Sequence, residues 1–96
     1  MDYMKSSDKF KLELQIRLSR ISINLEKLGK TVHLLQNGAP DWIYKDHIDE
    51  LLATISTDNQ WICQNQMLLL LNCPIAWLKY YPKVLEFQKK LKDLGY

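Results

Sequence analysis

Residues 10–36 read FKLELQIRLSRISINLEKLGKTVHLLQ, and the spacing of their apolar side chains decides between a helical and a mixed fold. Phe10, Leu12, Leu14, Ile16 and Leu18 alternate with polar residues, the mark of a half-buried strand. Leu14, Leu18, Ile21, Leu25, Leu28, Val32 and Leu35 instead follow a 4-3-4-3-4-3 spacing, the mark of an amphipathic helix. The heptad pattern explains the longer stretch, and Leu, Glu, Gln, Lys and Arg are good helix formers. A hairpin would have to turn near Ser19-Arg20, which offers neither Gly nor Asn. We therefore read a helix over residues 10–36, with an α+β fold carrying a hairpin at residues 10–25 as the alternative. Gly29 is the place where such a helix would bend.

A helix here has two apolar faces. At about 100° per residue, Phe10 and the heptad residues fall on one stripe, while Leu12, Ile16, Ile23 and Leu34 fall nearly opposite. The first stripe covers the protein's own core; the second needs another cover.

Outward from this segment, Asn37-Gly38 suits a helix end, and Pro40 stops one helix and starts the next. A second helix is expected from Asp41 to Ile55, with Ile43, Ile48, Leu51, Leu52 and Ile55 inward. Thr57-Asp58-Asn59-Gln60 fits a capping box that opens a third helix with Trp61, Ile62 and Met67 to Leu71. That helix ends apolar nearly all round, which places it at the centre of the core. Cys73 and Tyr81 each precede a proline and are pushed away from helical geometry. The reading between the prolines is a short helical turn with Ile75, Trp77 and Leu78, then a last helix with Val84, Phe87, Leu91 and Leu94. The expected class is all-α: an orthogonal four- or five-helix bundle with a long N-terminal helix. It forms one domain over residues 1–96, with residues 1–7 a disordered N-terminus.

Composition agrees with a folded chain: 96 residues, 47% apolar and 25% charged, with three Gly and three Pro. The net charge of +2 advertises no polyanion partner, but its distribution is basic, acidic, basic. Asp41, Asp46, Asp49, Glu50 and Asp58 crowd the middle, and Lys79, Lys83, Lys89, Lys90 and Lys92 the end. Complementary helices packed as neighbours account for this order. Cys63 and Cys73 do not make a disulfide framework and fit a reducing compartment. Nothing resembles a signal peptide, and the longest apolar run, Met67 to Leu71, is far short of the ~20 residues of a membrane span. The expectation is a soluble, cytoplasmic protein with no membrane partner.

The chemistry-bearing residues do not assemble into a site. His47 and Glu50 share a helical face, but two ligands do not hold a metal. Cys63 with His47 lacks a third, orienting group. Asp46, Asp49 and Glu50 lie on adjacent turns of one helix rather than across a cleft. Gly29-Lys30-Thr31 lacks the earlier glycine of a phosphate loop, since position 24 is Asn24. No catalytic residue, cofactor or metal is therefore expected. What remains is surface. Trp42 and Tyr44, at a helix start, suit an interface anchor. Leu12, Ile16 and Ile23 suit self-association, so the leading expectation is a small non-catalytic protein-interaction or regulatory module forming a homo-oligomer. Lys79, Lys83 and Lys90, with Tyr80 and Tyr81 upstream, support a nucleic-acid-associated protein as the alternative. The absence of Arg from this C-terminal segment and the intervening Glu86 count against it.

Overall fold

The heptad residues of the opening stretch do build a helix. The computed structural model describes residues 6–96, which form α1 (Ser6–Gln36), α2 (Asp41–Gln64), α3 (Gln66–Asn72) and α4 (Pro74–Asp93), with no strand among them. The class is all-α, and the hairpin alternative at residues 10–25 is overturned. The alternation of residues 10–18 arises because α1 carries apolar side chains on both faces, so a second stripe interleaves with the first. Of residues 1–7, expected to be disordered, 1–5 lie outside the described residues, and Ser6 and Ser7 stand in the first turn of α1. Gly29 sits inside α1 without interrupting it.

α1 ends where the sequence says it should. Gly38 takes φ 97°, which costs a glycine little, and there the Ala39 N–H donates to the Leu34 carbonyl (3.1 Å) and the Gly38 N–H to that of Leu35 (3.1 Å). This pair of bonds satisfies the last carbonyls of α1 and reverses the chain. α2 then returns antiparallel to α1, its Trp61 beside Phe10 and its Asp58 against Arg17. α4 runs alongside α1 in the same direction. The Gln15 side chain donates to the Tyr80 hydroxyl (3.0 Å), and farther along Ser22 faces Phe87, then Gly29 faces Leu94. α1 is thus the shared wall of the bundle.

The core lies on its inner stripe. Leu14, Leu18, Ile21, Leu25 and Leu28 meet Ile48, Leu51, Ile55 and Ile62 of α2, Leu69 of α3, and Ala76, Trp77, Val84 and Phe87 of α4. The molecule measures 51 × 29 × 17 Å, with a radius of gyration of 15.7 Å. About 12.5 Å is usual for a chain of this length. A long, thin bundle keeps much of its apolar surface outside.

Two expected boundaries are corrected. The capping box at Thr57–Gln60 does not start a helix: α2 runs through it to Gln64, and the Thr57 hydroxyl donates back to the Ala53 carbonyl (2.9 Å). No Gly or Pro breaks the chain there, and the apolar repeat continues across it. The break falls instead at Asn65 (φ −107°, ψ 12°), whose side-chain amide donates to the Trp61 carbonyl (2.8 Å). Pro82 likewise interrupts nothing, and α4 passes through it. The proline lacks the N–H that the Leu78 carbonyl would accept, and both residues lie on the solvent side, where water can take the place of the missing bond. Cys73 alone behaves as a residue before proline, with φ −143° and ψ 63°.

Burial also departs from expectation in two places. Ile43 is exposed because Tyr44, one position on, occupies the inward face of the first turn of α2. α3 is not the centre of the core. Only Leu69 of this seven-residue helix is buried, and Met67 and Leu71 lie on its opposite face. So short a helix at the end of the bundle has neighbours on one side only.

Candidate interaction surface

The most ordered polar cluster joins α1 to α2. Asp58 is 1% exposed and sits in the apolar repeat Ile48, Leu51, Ile55, Asp58, Ile62, where a hydrophobic residue would ordinarily stand. Arg20 reaches it with two bonds (Nε to Oδ2, 2.8 Å; a terminal nitrogen to Oδ1, 2.7 Å), and Arg17 adds a third to Oδ1 (3.1 Å). Arg17 also donates to Glu13 (2.7 Å) and lies over the Trp61 ring (4.9 Å to its centre). The Asp58 partnership raises the Arg20 pKa from its ordinary value, first through the hydrogen bonds and then through the charge. Both carboxylate oxygens are occupied, so the cluster holds the two helices in register.

The histidines, cysteines and the α2 carboxylates do not gather into one cluster. Among the described residues no three His, Cys, Asp or Glu side chains gather where a metal would be held. Cys63 is exposed and Cys73 is buried, and burial pushes the Cys73 thiol up from its ordinary pKa. His47, Asp46, Asp49 and Glu50 are all exposed on the outer side of α2. The grooves between α1 and α4 are open: Ser22, Glu26, Gly29, Phe87, Lys90 and Asp93 line one, and Ser19, Ser22, Tyr80, Lys83 and Phe87 the other.

No family model, curated protein or solved structure matches the chain. Its functional surface is therefore read from geometry.

Leu12, Ile16 and Ile23 are 45–55% exposed and, with Leu34, face away from the core side of α1. With Ser19 between them, the first three follow a 4-3-4 spacing, the seam along which helices pair. Trp42 is 81% exposed, while Tyr44 is half-buried against the core, so the two do not form one exposed anchor. Lys83 and Lys90 lie on one face of α4 with Glu86 between them (3.6 and 3.2 Å). The bond from Lys90, then the charges of both lysines, lower the Glu86 pKa from the ordinary carboxylate value. Lys79 leans over the Tyr80 ring (5.5 Å). A carboxylate between two of the three lysines blunts the positive field a phosphate backbone would need.

Reasoning from sequence did not anticipate two features. The Asp58 clamp had a signal, an acid at a core position of the α2 repeat, which the capping-box reading concealed. The second is the outer surface of α3 and α4, where Met67, Leu71, Ile75 and Leu78 stand in solvent.

Proposed function

We propose that this chain is a small non-catalytic interaction module that self-associates through the outer stripe of α1. The observation that carries the reading is the exposure of Leu12, Ile16 and Ile23 on the side of α1 opposite its buried heptad. Soluble helices seldom leave such a seam in water, because pairing it removes apolar surface at about 25 cal/mol per Å². A second copy supplies a matching seam of the same spacing.

The test is molar mass by light scattering across a range of concentrations. The expected mass is twice the 11.4 kDa of the chain, falling to one chain on dilution. Leu12→Glu with Ile16→Glu is expected to leave a helical monomer at all concentrations, checked by circular dichroism. A wild-type chain that stays monomeric overturns the reading. So does a double variant that unfolds, since these side chains would then belong to the core.

A further inference from the structure

The outer seam of α1 carries charge as well as apolar side chains, and the charge sets which way two copies can lie. Continued at the spacing of Leu12, Ile16, Ser19 and Ile23, the seam reaches Lys9 toward its start and Glu26 and Lys30 toward its end. Lys9 is exposed at the rim of the recess formed with Phe10, Glu13 and Trp61. Glu26 and Lys30 are 71% and 76% exposed and meet at 3.4 Å along one chain. So solvated a contact leaves both charges within reach of a neighbour. Glu13, Arg17, Arg20 and Asp58, on the α2 flank, form a mutually bonded set without net charge and do not bias the choice.

In a parallel pair each seam residue meets its own equivalent. Leu12, Ile16 and Ile23 stack on themselves, but Glu26 then meets Glu26 and Lys30 meets Lys30, two successive layers of like charge. In an antiparallel pair the two-fold axis crosses α1, and facing residues have numbers that add to a constant. The register that covers all three apolar residues puts the axis between Arg17 and Leu18. Leu12 then meets the partner's Ile23, Ile16 meets the partner's Ser19, and Lys9 meets the partner's Glu26, each contact made twice. The neighbouring registers are worse. One sets Leu12 against Lys30 and Ile16 against Glu26, and the other carries Ile23 past Ser6, the start of the described α1. A slight left-handed crossing keeps the seam facing its copy over this length.

We infer that the second copy lies antiparallel across α1, with Leu12 of each chain on the partner's Ile23 and Lys9 of each beside the partner's Glu26. The inference rests on the self-association reading and adds to it the direction and register of the partner.

The first experiment places one spin label on each full-length chain through Lys30→Cys, with Cys63→Ser removing the exposed native thiol and Cys73 buried. Dipolar spectroscopy reads the separation of the two labels in the dimer. With the axis between Arg17 and Leu18 they lie about 25 residues apart along the pair, or about 37 Å. A parallel pair brings them within about 20 Å, two helix widths. The second experiment is light scattering on charge variants across a range of concentrations. Lys9→Glu and Glu26→Lys are each expected to raise the dimer dissociation constant roughly tenfold, since each reverses two contacts. Both together are expected to return it to within about threefold of the wild type. A dimer with the short label separation overturns the antiparallel arrangement and leaves self-association standing. So does a double reversal that recovers no affinity over the single ones. A chain that stays monomeric overturns both readings.

Discussion

At the residue scale, Asp58 is where local preference and tertiary structure part. An aspartate in the middle of a helix is neutral at best, and one at a core position is costly unless its charge is met. Arg17 and Arg20, one turn apart on the same flank of the α1 stripe, meet it with three bonds. Asp58→Ala removes the shared acceptor and leaves two guanidinium groups crowded at the helix contact. The expected loss is about 3 kcal/mol of unfolding free energy, read as a lower urea midpoint at unchanged slope. Gly29 is the opposite case. It stands inside α1 with nothing within 4 Å of where a Cβ would lie. Gly29→Ala is expected to stabilise by about 0.5–1 kcal/mol, because the chain loses less backbone freedom on folding, and thermal unfolding checks it. The signal for Asp58 was present in the 3-4 repeat of α2. A polar residue interrupting an apolar repeat looks the same as a helix start until its partners on another helix are seen.

At the scale of elements, the long helices were legible and their interruptions were not. The α1 stripe, the Gly38 turn and the start of α2 at Asp41 follow from periodicity and glycine chemistry, which are local. The continuity of α2 past Thr57 and of α4 past Pro82 depends on which face each residue turns to the core, which is not local. Pro82 survives inside α4 because it and Leu78 lie on the solvent side while Trp77, Val84 and Phe87 pack into the core. Pro82→Ala restores the missing bond. An increase in stability of about 1–3 kcal/mol is expected by chemical denaturation, below the full proline penalty to the extent that the helix has already relaxed around it. A decrease would mean that the proline's bend is needed for α4 to follow α1.

At the scale of the molecule, burial divides the apolar residues into those that build the fold and those left for other surfaces. α1 is bordered by α2 and α4 on one side and by water on the other, so Leu12, Ile16 and Ile23 remain outside. α3 sits at one end of the bundle, so Met67 and Leu71 do as well. These are two surfaces on different helices. The α1 seam has the spacing for helix pairing, while at the α3–α4 corner Met67, Leu71, Ile75 and Leu78 are exposed. Self-association should therefore respond to concentration and to charges placed at Leu12 and Ile16.

The chain's own pattern settled the helical class, the heptad that faces the core and the reversal at Gly38, because each depends on residues close together in sequence. The two apolar faces of α1 were visible there too, as a matter of angle. The packing of the helices settled which of those faces is buried, why Asp58 can be charged inside the bundle, and that the most apolar helix lies at an end rather than at the centre. Burial is a property of neighbours, and the neighbours of α3 come from α1, α2 and α4, helices that its seven residues do not encode.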